Sequence, residues 1–303
     1  MAGDARGSHE LEDLLSQLDE LIGLDEVKHQ VHQVTHLLKV QRLRAARCMA
    51  IPHTSQRLVF AGNPGTGKTT VARLLGHIYC QLGVVSKRHL VEVDRAGLVA
   101  GFVGQTAGRV DEVVEEALGG VLLIDEAYGL VRGGVDDYGR EALDALVKPM
   151  EDHRDDLVVI VAGYPDEMDD FLDANPGLRS RFPRVIQFPD YSDQDLLTIF
   201  QLLCRGGDYV ADSSAIEAAH RHIQRISRGR GFGNGRLSRT MFEQAITAHA
   251  TRLARHPDPT DDDLSRLISA DLGVAGKAGF SSETSSPTGE RQGHQARPTI
   301  TTS

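Results

Sequence analysis

Five short apolar runs punctuate the middle of the chain, at 57–61, 89–93, 120–124, 157–162 and 185–188. Val121-Leu122-Leu123-Ile124 and Leu157 to Ala162 carry no alternating polar face, which is the pattern of strands covered on both sides. Between the runs the period changes to three or four residues. It predicts helices near 68–82, 109–118 and 139–152, with Val110, Val113, Val114, Ala117 and Leu118 marking one apolar face. Strands alternating with helices predict an α/β fold with a mainly parallel, five-stranded sheet covered on both faces. Upstream, Leu11, Leu14, Leu15, Leu18 and Leu21 predict an amphipathic helix, and a second, longer one runs to about Met49.

After Pro189-Asp190 the strand signal stops. Ser192-x-x-Asp195 and Ser214-x-x-Glu217 read as capping boxes opening helices. Further helices are predicted over Gly235–His256 and Thr260–Ala270. The organisation expected is therefore an α/β domain over 11–190 and a small all-α domain over 191–272. Residues 1–10 and 273–303 are polar and lack periodicity, the latter rich in Gly, Ser, Thr and Pro, and both are expected to be disordered. No internal repeat is present.

The apolar run at 58–61 leads into Gly62-Asn63-Pro64-Gly65-Thr66-Gly67-Lys68-Thr69, followed by the helical pattern from Thr70. Strand, GxxxxGKT loop and helix in that order are a Walker A element. The glycines let several N–H groups converge on one anion, and the helix adds its positive end. Gly62, Asn63, Pro64, Gly65, Thr66, Gly67, Lys68, Thr69 and Thr70 are thus candidate phosphate-binding residues. Lys68 is placed for the β- and γ-phosphates of ATP and the Thr69 hydroxyl for Mg²⁺. About sixty residues on, the span of two βα units, the run Val121–Ile124 ends in Asp125-Glu126. Carboxylates at the C-terminal end of a central strand lie where open α/β sheets keep their ligands. Asp125 is a candidate for the Mg²⁺ shell and Glu126 for the base that activates water.

Charge narrows the partners. The 303 residues carry a net charge of −10 and no Lys/Arg stripe, so nucleic acid is not expected. The start, MAGDARGSHE, lacks the apolar core of a signal peptide, and Leu157–Ala162 is too short to span a bilayer, so no membrane insertion is expected. Cys48, Cys80 and Cys204 show no metal-ligand spacing and fit a reducing cytoplasm. His29, His32 and His36 share one helix face, where solvation is expected ahead of metal binding.

With these motifs in order, the chain resembles the AAA+ ATPases. More narrowly it resembles their CbbX/CfxQ group, which includes the red-type Rubisco activase, stage V sporulation protein K and the ATPase domain of EccA-type secretion proteins. The segments carrying the resemblance are LIGLDEVK (21–28), FAGNPGTGKTTVARLLG (60–76), GFVGQTA (101–107), VLLIDEAY (121–128), VIVAGYPDEM (159–168), NPGLRSRF (175–182) and GFGNGRLSR (231–239). The resemblance implies a homo-oligomeric ring, usually a hexamer, that binds ATP between neighbouring subunits and remodels a client protein. It implies nucleotide contacts from Ile22 and Gly23, an arginine finger at Arg181 with Arg179 as the alternative, and a sensor-2 arginine at Arg236. Arg236 also has a local argument, because a cation at a helix start costs ~0.3–1 kcal/mol unless an anion meets it. Phe102 and Val103 match an aromatic pore loop that would grip the client, with 133–139 as a second one. The chain departs from many AAA+ proteins in having Ala162-Gly163-Tyr164 where sensor 1 carries Asn, Ser or Thr. EccA-type proteins carry an N-terminal helical-repeat domain, which this sequence does not show, so a free-standing remodeler is the expectation. A nucleotide-gated binding module, or a secretion-associated ATPase with slow turnover, is the alternative.

Overall fold

Leu58–Gly62 is buried along its whole length because it forms an interior strand. In the computed structural model, which describes residues 2–52, 54–100, 105–132, 138–174 and 176–273, the chain begins with α1 (Ala2–Asp19) and α2 (Asp25–Ala46). It continues through β1 (Leu58–Gly62), α3 (Lys68–Gln81), β2 (Leu90–Val93), the single turn α4 (Arg95–Leu98) and α5 (Thr106–Ala117). Then come β3 (Val121–Ile124), a 3-10 turn at Ala127–Leu130, α6 (Tyr138–Asp152), β4 (Val158–Gly163), α7 (Pro165–Asp173), α8 (Pro176–Arg181) and β5 (Arg184–Phe188). The lid comprises α9 (Asp193–Gly206), β6 (Val210–Ala211), α10 (Ser213–Arg225), α11 (Gly235–Leu253), α12 (Asp261–Ser265), β7 (Arg266–Leu267) and α13 (Ser269–Leu272).

The sheet has the order β2-β3-β4-β1-β5 and is parallel at every pairing. Its strands alternate between two cores, as a two-residue period demands. Leu58, Phe60, Val121 and Leu123 pack with α1, α2 and α3 on one face. Val59, Leu122 and Ile124 pack with α5, α6 and α7 on the other. The first core runs on into the lid through Tyr191, Leu196, Phe200 and Met241. All five strand ends that follow the chain direction, and hence the loops after β1, β3 and β4, come to one rim of the sheet.

Several elements differ from the pattern-based expectation. Helix α1 begins at Ala2, inside the segment expected to be disordered. The box at Ser192 forms as expected, with reciprocal bonds to Asp195. The helix expected to be capped by Ser214 is instead capped two residues earlier, where the Asp212 carboxylate accepts from the Ala215 amide at 2.9 Å. The last expected helix is broken at Arg266, and Arg266–Leu267 pairs with Val210–Ala211 as a two-residue parallel bridge within the otherwise helical lid. Phe102, Val103, residues 133–137 and the tail from 274 lie outside the described residues.

Candidate functional site

The loop after β1 wraps around the start of α3. Gly65 and Gly67 take φ of +72° and +91°, conformations that side chains disfavour, and they turn the loop back over the helix end. The Lys68 ammonium donates to the carbonyls of Gly62 at 2.7 Å and Asn63 at 2.9 Å. Burial pushes the Lys68 ammonium below the usual lysine value; Asp125 opposes that shift, Arg236 adds to it and Glu126 opposes it. The Thr69 hydroxyl donates to Glu92 Oε1, on β2, at 3.1 Å. Thr66 is fully buried and its hydroxyl donates to the Asn63 carbonyl at 2.8 Å, which sets the curvature of the loop.

At the end of β3 the chain turns sharply. Glu126 adopts φ 49° and ψ 40°, a left-handed conformation that is strained for a residue with a side chain. Its amide donates to Asp125 Oδ1 at 3.0 Å. Both carboxylates face the cleft beside the loop.

The lid closes the third side. Gly235 N–H donates to the Gly65 carbonyl at 3.0 Å, so the start of α11 rests directly on the phosphate-binding loop. A Cβ added at Gly65 would stand 2.3 Å from the Gly233 carbonyl oxygen, so only glycine permits this approach. Arg236 follows in the first turn of α11, and Arg239 lies one turn later. From α9, Ile199 and Leu203 supply an apolar wall. Together these groups enclose a cleft of about 360 Å³ lined by Gly65, Lys68, Thr69, Asp125, Glu126, Tyr164, Tyr191 and Arg236 among others.

Of the residues expected from the sequence, Gly62, Pro64, Gly65, Gly67, Lys68, Thr69, Thr70, Asp125, Glu126 and Arg236 line this cleft. Asn63 and Thr66 are turned away from it and brace the loop. Ile22 and Gly23 do not line it either. They lead into Leu24, and this turn packs beside Tyr191 and close to Gly67. Arg179 and Arg181 do not line it. Arg181 donates to the Gly177 carbonyl at 2.9 Å and pairs with Glu151 at 3.5 Å, while Arg179 pairs with Asp173 at 2.8 Å. Glu151 also binds Arg57, the residue before β1, and Ser55 Oγ donates to the Arg181 carbonyl. Arg181 therefore sits at the rim where the strands begin, a full strand length from the cleft.

Some cleft residues lacked a sequence signal. Arg239 had one, since it shares a helix face with Arg236 at i+3. Tyr191 and Tyr164 did not. Outside the cleft lining, Glu167 is buried on α7 and had no sequence signal either; its carboxylate pairs with Arg132 and with Arg230 of the lid. Tyr164 directly follows β4, and the Arg230 guanidinium lies over its ring at 5.6 Å. Hard oxygen donors suit Mg²⁺, and a hydroxyl with one or two carboxylates beside a phosphate site is its common arrangement. Thr69, Asp125 and Glu92 fit that donor set. Among the described residues no group of three or more His, Cys, Asp or Glu is placed to hold a metal unaided. No helix among them is long and apolar enough to cross a membrane.

Comparison with known proteins agrees with this geometry. Residues 58–190 match the ATPase family associated with various cellular activities (AAA), and residues 192–281 match the AAA lid domain. Stage V sporulation protein K of Bacillus subtilis is 38% identical over 271 residues, covering 88% of this chain and 84% of that protein. The plasmid-encoded protein CbxX of Cupriavidus necator is 42% identical over 273 residues, covering 89% and 86%. In fold the chain is similar to the crystal structure of the FIGL-1 AAA domain in complex with ADP, with a TM-score of 0.60 at 18% identity over 85% of this chain and 82% of that one. The chain belongs to the AAA+ ATPases, within the CbbX-type group to which CbxX and stage V sporulation protein K are matched.

Proposed function

We infer that the protein is an ATP-hydrolysing, ring-forming remodeler whose active sites lie between subunits. The observation that carries this is a separation. Lys68, Asp125, Glu126 and Arg236 converge on one cleft, whereas Arg181, expected to act on the γ-phosphate, stands at the opposite rim of the sheet, and Arg179 is held to α7 by Asp169 and Asp173. A strand of five residues spans ~17 Å, too far for Arg181 to reach its own cleft. A neighbouring subunit's cleft is the natural target. Arg181 Nε makes no hydrogen bond and only a loose 3.5 Å ion pair with Glu151, so an anion from a neighbour could compete for it.

In this reading the loop from Gly62 to Thr70 receives the triphosphate, with Lys68 moving from the carbonyls of Gly62 and Asn63 onto the phosphates. The apolar wall of Ile199 and Leu203 takes the base. Thr69 and Asp125 would hold Mg²⁺, which supplies charge neutralisation at the phosphates. Glu126, presented by its strained turn, takes the proton of the attacking water. Arg236 contacts the phosphates from the lid, and Arg181, or Arg179 in its place, does so from the neighbour. Phe102 and Val103 pass the resulting motion to a client polypeptide.

The test is complementation. Arg181→Ala and Glu126→Gln subunits, each inactive alone, are mixed and ATPase activity is measured. Activity returning at mixed interfaces supports a shared site. Two variants that co-assemble without regaining turnover would refute it.

A further inference from the structure

One carboxylate ties the phosphate-binding loop to the lid. Asp190, at the junction of the two units, accepts from Asn63 Nδ2 at 2.9 and 3.1 Å and from Asn234 Nδ2 at 2.7 Å. Asn63 belongs to the loop after β1. Asn234 immediately precedes α11, the helix that carries Arg236. The two asparagines approach Asp190 from opposite domains, and each makes a return bond. Asn63 Oδ1 accepts from the Gly231 amide at 3.1 Å, and Asn234 Oδ1 accepts from the Tyr191 amide at 2.8 Å.

Two features indicate that this cluster does more than end a helix. Asn is a preferred N-cap residue because its side chain satisfies the free amides of the first turn. Asn234 occupies the cap position yet makes no such bond. Its side chain, 0% exposed, is committed to Asp190, Tyr191, the Phe232 carbonyl and, at 3.4 Å, the Pro64 carbonyl of the loop. Its backbone is held at φ 46° and ψ −123°, a conformation residues with side chains avoid, and the surrounding bonds must sustain it. That conformation aims the next two residues at the loop: Gly235 N–H onto the Gly65 carbonyl, then Arg236 into the cleft.

We propose that Asp190 is a positioning residue for nucleotide binding, clasping Asn63 and Asn234 so that the shape of the phosphate loop and the placement of Arg236 over a nucleoside triphosphate are one linked variable. The proposal rests on the cleft being the ATP site. Rotation of the lid about the 190–191 junction must strain or open the clasp, so a loop reshaped by phosphates and a lid that brings Arg236 inward favour each other.

A double-mutant cycle tests it on the full chain. Binding of a non-hydrolysable ATP analogue is measured by calorimetry for the wild type, Asp190→Asn, Arg236→Ala and the double variant. Asp190→Asn keeps the size of the side chain but turns an N–H group toward Asn63. If Asp190 acts through Arg236, the single change weakens binding by about ten- to a hundred-fold, the value of a hydrogen bond to a charged group. The same change then costs little once Arg236 is absent. Equal losses in both backgrounds, or no loss in either, overturn the proposal, because a merely structural tie would act independently of Arg236. Should Asp190→Asn melt early, Asn63→Ala opens the same clasp from the loop side and enters the same cycle with the same two outcomes. Lys68→Ala runs in parallel. If it binds the analogue as the wild type does, the cleft itself is misassigned and the clasp falls with it; if it binds weakly while the cycle is additive, only the clasp fails.

Discussion

Substituting Gly65 by alanine separates two effects that usually arrive together. The first is backbone strain: φ is +72°, and an L-residue there costs ~1–2 kcal/mol. The second is a collision, since the new Cβ would stand 2.3 Å from the Gly233 oxygen and 3.0 Å from the Arg236 nitrogen. Restoring ordinary contact requires the lid segment to retreat by roughly 1 Å. That breaks the bond from Gly235 N–H to the Gly65 carbonyl and draws Arg236 back from the cleft where we propose the phosphates bind. Loss of a hydrogen bond to a charged group is ~1.5–3 kcal/mol, or about ten- to a hundred-fold in Kd. Gly83 supplies the control. Its φ is +73°, and nothing lies within 4 Å of a Cβ added there. Gly83→Ala therefore carries the strain without the collision. It should lower the melting temperature by ~2–8 °C, taking ~2–4 °C for each kcal/mol in a chain of this size, and leave nucleotide affinity alone. Gly65→Ala should lose affinity for an ATP analogue in calorimetry. The reasoning fails if Gly65→Ala binds as the wild type does, or if Gly83→Ala weakens binding equally.

Lys68→Ala should weaken nucleotide binding itself, because it removes the cation at the loop; an unchanged affinity in calorimetry would remove the loop from the site. Arg132→Ala and Arg230→Ala should each be mild in thermal melts, since either arginine alone still compensates the buried Glu167 carboxylate. The double variant leaves that charge unpaired and should cost ~3–5 kcal/mol, well beyond the sum of the singles. Additive melting shifts would show that the pairs are not shared.

Much of the fold is legible along the chain because its signals are local. Val121–Ile124 and Val158–Gly163 are buried on both faces, and a continuous apolar run states that directly. The loop from Gly62 to Thr69 is a local motif, and the charge of Arg236 at a helix start is a local anomaly. What was hidden depends on residues far apart in sequence. Asp190 joins Asn63 and Asn234 only after both units have folded, and nothing in the three neighbourhoods announces it. The left-handed turn at Glu126 leaves no mark on composition. β6 and β7 have two residues each, too few to show a period, and the apolar spacing of Leu264, Leu267 and Ile268 reads as helix until Arg266 pairs with Val210. The first ten residues are polar enough to predict disorder, yet α1 extends back to Ala2.

Glu126 is the proposed base for hydrolysis in a cleft that binds ATP independently of it. Steady-state phosphate release with Mg²⁺, measured beside ATP binding for the wild type and Glu126→Gln, tests this most directly. The account predicts equal binding and a loss of turnover of ~10²–10⁴-fold in the variant, the contribution of a general base. Undiminished phosphate release from Glu126→Gln would contradict it.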